Sequence, residues 1–169
     1  MKLSQSRFIS IVALGLCAST SLNVYADSNS CAGSSNMTVE KQSAMQIESA
    51  DGHMLLLSRD SGPLESEGLF AGGTAIDQNV NQLHQGNGNG YGYYTLVTDE
   101  GTAVAKWNGT VSTVMKEGNP MTSFKGKWEF ANGSGKFQDI RGAGVYDGYF
   151  TSATTRVINW KGQCILANK

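Results

Sequence analysis

The chain has 169 residues, of which 13 are basic and 14 acidic, and its formal net charge at pH 7 is −1. Because the basic residues neither predominate nor cluster, we expect no nucleic-acid partner. The 21 glycines and two prolines favour an all-β domain, since glycine enters the tight turns between short strands without steric cost. The motifs of phosphate-binding loops, serine hydrolases and zinc peptidases are absent from the sequence.

The first residues have the pattern of an export signal. Lys2 and Arg7 precede the apolar run Phe8–Cys17. Val24 and Ala26 occupy the −3 and −1 positions with residues that signal peptidase accepts, which favours cleavage after Ala26. The run is too short to span a bilayer, which needs about 20 apolar residues. We therefore predict a bacterial signal peptide over 1–26, a periplasmic or secreted protein, and no membrane anchor after cleavage. Lipoprotein processing at Cys17 is a weaker alternative, because Leu16 occupies the preceding position, where that processing site needs a small residue.

Two cysteines remain after the signal is removed, Cys31 and Cys164. An even pair in an oxidising compartment is expected to form a disulfide. The disulfide would close a loop that spans residues 31–164. The chain-entropy model predicts that closing a loop of that length stabilises the fold by at most about 5 kcal/mol. Metal binding by two thiols so far apart is a weaker alternative. A bond between the two ends suits a closed barrel, in which the first and last strands are neighbours.

Turn residues divide the mature chain into short segments of alternating apolar and polar side chains. Residues 27–36 are small and polar and predict a flexible leader, so the folded domain is expected at 37–169. Strands are expected at 37–49, 53–59, 69–80, 91–98, 102–115, 121–130, 136–142, 145–152 and 155–166, with turns at 50–52, 60–63 and 117–120 and a longer loop at 82–90. The run Met54–Leu57 predicts a strand covered on both faces. Eight or nine such strands indicate an antiparallel barrel or sandwich.

The period of two also assigns side chains to faces. Three sets share a face: Ala103, Ala105, Trp107, Val111, Thr113 and Met115; Phe124, Trp128 and Phe130; and Arg156, Ile158, Trp160 and Cys164. These apolar faces can point inwards as barrel filling or outwards against oligomer partners, and the pattern does not choose between the two.

One segment carries a family resemblance. Gly133-Ser134-Gly135-Lys136-Phe137, with Ile140 and Gly142, resembles the G-x-G-x-F-x-x-(A/I)-x-G signature of the allene-oxide-cyclase-like and dirigent-like β-barrels. The stretches GVYDGYFTS and VINWKG resemble a group of secreted proteobacterial proteins related to those barrels. The resemblance implies a single antiparallel eight-stranded barrel that can form homo-oligomers.

The same resemblance implies charged groups within an apolar lumen that stabilise a reaction intermediate. Asp77, Asp139, Arg141 and Arg156 are the candidates on this chain. Asp139 and Arg141 are expected to share one strand face, and the alternative for them is a solvent-exposed salt bridge worth under about 1 kcal/mol.

The aromatic residues provide candidate ligand contacts, because tyrosine and tryptophan combine a flat apolar ring with a polar group. The candidate ligand-binding residues are Tyr91, Tyr93, Trp107, Trp128, Trp160, Asp139 and Arg141, with Tyr94 beside them. Ordinary barrel filling and a sugar-binding platform are the alternatives. His53 and His84 could act together in proton transfer or ligand binding, or lie separately in solvent. A metal site lacks a well-spaced third ligand, and no cofactor is expected.

These features favour an exported, non-catalytic module that holds a small hydrophobic molecule or serves as a scaffold for association. The alternative is an isomerase or cyclase that acts on a hydrophobic substrate within the lumen. The first function is preferred because the sequence alone places no acid/base pair.

Overall fold

Eight strands form one closed antiparallel barrel in the computed structural model, which describes residues 28–48 and 51–166. The strands are β1 (Ser28–Gln46), β2 (His53–Ser66), β3 (Thr74–His84), β4 (Asn87–Thr98), β5 (Gly101–Lys116), β6 (Asn119–Gly133), β7 (Arg141–Phe150) and β8 (Thr155–Ile165). Each strand pairs with the next, and β8 pairs with β1. The predicted eight-stranded barrel is confirmed. The predicted signal peptide 1–26 lies outside the described residues.

The two chain ends are joined as expected. Cys31 on β1 and Cys164 on β8 form a disulfide with a Cα–Cα distance of 5.8 Å. The bond connects the pair of strands whose pairing closes the barrel, so it lies at the seam between the beginning and the end of the domain.

Several predicted boundaries are wrong. Residues 28–36, assigned to a flexible leader, form the first half of β1, and the predicted turn 60–63 lies within β2. Gly62 marks a close approach of strands rather than a turn, because a Cβ there would lie 1.9 Å from the carbonyl oxygen of Asn36. The predicted loop 82–90 is mostly strand.

Two further expectations about strands fail. The segment 136–142 is not one strand, since a 3₁₀ turn covers Gly135–Phe137 and β7 begins only at Arg141. The run Met54–Leu57 is not covered on both faces, because Leu57 is 58% exposed on the outside of the barrel. In both cases strand pairing and burial are set by the closed sheet, and the local sequence pattern does not contain this information.

One end of the barrel is filled with aromatic side chains. Phe70 from the 3₁₀ turn Gly68–Phe70 and Phe137 from the second 3₁₀ turn are fully buried, with ring centroids 5.1 Å apart. Trp160 packs edge-on against Phe70 at 5.8 Å. These contacts close the end that carries the disulfide. Within residues 28–48 and 51–166, no helix is long and apolar enough to cross a membrane.

Candidate functional site

The lumen holds a cavity of about 520 Å³. It extends from the buried rings of Phe70, Phe137 and Trp160, here called the aromatic plug, towards the opposite end of the barrel. At that end the β3–β4 turn, the start of β6 and the β7–β8 turn contribute to its lining. Small-molecule sites in proteins commonly measure about 300–1,000 Å³. The barrel is therefore only partly packed, and the space left within it can hold a small molecule.

An aromatic wall forms one side of the cavity. Trp107, Phe124, Trp128 and Tyr146, from β5, β6 and β7, all line it. Trp107 and Tyr146 pack edge to face, with centroids 5.5 Å apart at an interplanar angle of 72°, and Phe124 lies tilted against Tyr146 with centroids 6.4 Å apart. Such contacts fix the ring positions, so this wall presents a rigid apolar surface to the lumen.

A cluster of charged groups forms the other side. Asp60 on β2 and Asp77 on β3 are buried and directly opposite each other in the strand register. Arg156 reaches them from β8, and its Nη2 atom donates to Oδ2 of Asp77 at 2.6 Å and to Oδ2 of Asp60. Two carboxylates thus share one guanidinium group at the edge of an apolar cavity.

Neutral polar side chains complete this cluster. Nδ2 of Asn79 donates to Oδ2 of Asp77 at 2.9 Å, and Nδ2 of Asn81 donates to Oδ1 of Asn79 at 2.7 Å. Ser58 donates to the same Asn79 oxygen at 3.0 Å. The Nε1–H of Trp107 donates to Oδ1 of Asp77 at 2.7 Å. This hydrogen bond connects the aromatic wall to the cluster of charged groups.

Burial changes the acid–base behaviour of these groups. Desolvation raises the pKa of Asp77 to about 6, although the Arg156 charge and the Trp107 hydrogen bond act in the opposite direction. Desolvation also raises the pKa of Asp60, against the same guanidinium. Asp77 can therefore exchange a proton close to neutral pH, and it lines the cavity. Proton transfer to or from a bound molecule is chemically accessible here.

Arg156 keeps unused hydrogen-bonding capacity. Its described partners contact only Nη2, and its Nε and the Oδ1 atom of Asp60 have no partner among the described residues. The guanidinium lies 5.8 Å from the ring centroids of both Phe124 and Phe150, and Arg156 lines the cavity. A ligand that accepts hydrogen bonds can therefore meet a cationic donor inside a largely apolar space.

The structure brings together only some of the predicted site residues. Trp107, Trp128 and Trp160 line the cavity. Tyr91 and Tyr93, by contrast, are 62% and 55% exposed on the outer surface, because β4 turns glycines towards the lumen at these levels.

The four charged candidates also separate. Asp77 and Arg156 meet in the lumen, whereas Asp139 and Arg141 are exposed beyond the aromatic plug. Asp139 and Arg141 do not share a strand face as expected, since Asp139 precedes β7 and has a φ of +66°.

Sequence reasoning missed Asp60, Asn79, Asn81 and Ser58. A signal for part of this set was present, because Asp77, Asn79 and Asn81 alternate with Ile76 and Val80. Alternation of this kind normally places the polar residues outside. Here the polar face points into the barrel.

Neither family models nor curated protein sequences yield a match to this chain. The geometry of the cavity and its polar cluster is therefore the basis for the function considered next.

Proposed function

We propose that this protein is an exported β-barrel that binds a small, largely apolar molecule in its lumen. The observation that carries the proposal is the cavity of about 520 Å³ with an aromatic wall and one charged cluster. Apolar burial would supply most of the affinity, at about 25 cal/mol per Å² of apolar surface removed from water. The charged cluster would fix the orientation of the molecule.

Export and family membership belong to the same proposal. The disulfide is compatible with an oxidising compartment. The export signal predicted for residues 1–26 would deliver the protein to such a compartment. The Gly133–Gly142 segment supports membership of the allene-oxide-cyclase-like barrels, since Gly133 and Gly135 each lie where a Cβ would be within 2.3 Å of a carbonyl oxygen. Such a segment needs its glycines for packing.

A matched pair of tryptophan substitutions on β5 tests ligand binding. Val111 lines the cavity, whereas Val114 is exposed on the outside. Fluorescence of the neutral apolar probe N-phenyl-1-naphthylamine should rise on binding to the wild type and to Val114→Trp, and Val111→Trp should reduce the affinity about tenfold or more. Native mass spectrometry of protein purified from its own compartment would then identify a bound molecule. Equal binding by both variants would contradict a lumenal site.

Catalysis of an isomerisation or cyclisation in the lumen is a second candidate, favoured by Asp77. Its pKa of about 6 suits a group that gives and takes a proton near neutral pH. If the molecule recovered from the protein is a substrate, incubation in D₂O should introduce deuterium with wild-type protein and not with Asp77→Asn. Binding of the apolar probe should persist in that variant, which separates loss of chemistry from loss of the cavity.

A further inference from the structure

The only two histidines of the 169-residue chain meet on the barrel surface. His53 begins β2 and His84 ends β3, and the two residues are directly opposite each other in the strand register. Their ring centroids are 5.1 Å apart. Leu83 lines the cavity, so its neighbour His84 points away from the lumen, as successive residues of a strand must. The pair therefore lies on the outer face, at the end of the barrel opposite the disulfide.

We propose that His53 and His84 form a binding site for a divalent transition metal ion, with Zn²⁺ as the ion that fits best. A Zn–N bond of about 2.1 Å places the centroid of each imidazole about 3.2 Å from the metal, and a tetrahedral angle then separates the two centroids by about 5.2 Å. The observed 5.1 Å agrees with this value. A right-angled arrangement, typical of square-planar ions, would need about 4.5 Å.

The backbone holds both histidines in place. The N–H of Ile47 donates to the carbonyl oxygen of His53 at 3.0 Å, and the N–H of Gln85 donates to the carbonyl oxygen of Gly52 at 2.9 Å. The two strand ends are thus fixed by hydrogen bonds to adjacent turns. His84 is exposed and His53 is half-buried. A metal ion can reach the pair from solvent with little loss of backbone entropy.

The rest of the coordination sphere defines the class of site. In the part of the chain that the structure describes, no group of three or more His, Cys, Asp or Glu side chains is placed to hold a metal. Two imidazoles would therefore bind the ion, and water or another exchangeable ligand would take the remaining positions. Such an open site differs from a structural zinc site, which is closed by four protein ligands.

Metal binding would add a cross-link between the paired strands β2 and β3 at this end of the barrel. Leu56 and Leu83, close to the histidines along the same strands, line the cavity. An ion held only by the folded arrangement stabilises the folded state. We therefore expect Zn²⁺ to raise the melting temperature of the wild type.

The test is titration of untagged mature protein with Zn²⁺, followed by isothermal calorimetry and thermal unfolding. The expected result is one Zn²⁺ per chain, with affinity at least about tenfold weaker in His53→Ala and in His84→Gln, since each change removes one of two ligands. Gln82→Ala, an exposed substitution on β3, should bind as the wild type does. Circular dichroism would verify that all variants are folded.

Two results would overturn the inference. One is the absence of saturable Zn²⁺ binding by the wild type, and the other is unchanged affinity when either histidine is replaced. Both results are independent of the lumenal ligand, because the histidines face away from the cavity and the apolar probe does not contact them.

Discussion

Asp77 accepts hydrogen bonds from Trp107, Asn79 and Arg156 while lying almost wholly out of contact with water. Three donors stabilise its ionised form, and a second carboxylate, Asp60, opposes it across the strand pair. Burial outweighs the donors, so the pKa rises rather than falls. The residue therefore differs from surface carboxylates that form salt bridges, whose charge is stabilised by solvent as well as by the partner.

The raised pKa predicts a dependence of stability on pH. A carboxyl group whose pKa rises from 3.8 to about 6 on folding contributes stability that is fully present below about pH 4. This contribution is lost as the pH rises through 6, and amounts to about 3 kcal/mol. Asp77→Asn should remove it, so the free energy of unfolding of the variant should fall less between pH 4 and 7.5. Urea titrations at several pH values measure both slopes, and equal slopes would contradict the raised pKa.

Arg156 should matter far more to stability than an exposed arginine does. Arg156→Met leaves Asp60 and Asp77 buried without a cation, which we expect to cost about 3–5 kcal/mol. Arg59→Met is the matched control, because Arg59 forms an ion pair with Glu40 at the surface and should lose under about 1 kcal/mol. Urea unfolding of both variants at pH 7 compares them. Similar losses would mean that the lumenal ion pair is not a buried one in solution.

Strand β3 shows why the location of the candidate site could not be predicted from alternation alone. The pattern Ile76-Asp77-Gln78-Asn79-Val80 correctly indicates a strand. Its polar face nevertheless points inwards, because Arg156 on β8 and Ser58 on β2 provide partners within the lumen. Those partners are distant in sequence, and they are adjacent only once the barrel has closed.

The glycine-rich turn around Gly135 should be sensitive to small changes. Gly135 has a φ of +60°, and a Cβ there would lie 2.3 Å from the carbonyl oxygen of Glu100. Gly118 has a φ of +82° with nothing within 4 Å. Gly118→Ala should therefore lower the free energy of unfolding by about 1–2 kcal/mol, because alanine is strained in the left-handed backbone conformation. Gly135→Ala should lower it by roughly 1–3 kcal/mol more, because its Cβ also clashes with the Glu100 carbonyl oxygen. Chemical denaturation of both variants gives the difference, and equal losses would exclude a steric role.

At the scale of the whole molecule, strand pairing closes the barrel and the disulfide holds the seam. The β1–β8 pairing covers eleven residues on each strand, from Ser28↔Ile165 to Thr38↔Thr155. The two cysteines lie within it, 133 residues apart in sequence. A long loop of this kind restricts the unfolded chain strongly, while the native sheet keeps its hydrogen bonds without the covalent bond.

Removal of the disulfide should destabilise the barrel without changing its architecture. We expect the double variant Cys31→Ser, Cys164→Ser to lose about 2–5 kcal/mol and to retain its β-sheet circular dichroism. Urea unfolding of the oxidised wild type and of the variant measures the loss. Wild-type protein under reducing conditions is the control, and it should match the variant. A stability unchanged by both treatments would show that the closing strands need no covalent restraint.

The amino-acid sequence by itself determined the class of fold, the approximate number of strands and the pairing of Cys31 with Cys164. These depend on short-range alternation, on glycine at turns and on a count of cysteines. Only the tertiary structure decided which faces turn inwards, that a cavity remains between them, and that Asp60, Asp77 and Arg156 meet beside it. The physical reason is that closure of the sheet brings together side chains from distant strands, and their burial and charge exist only in that arrangement.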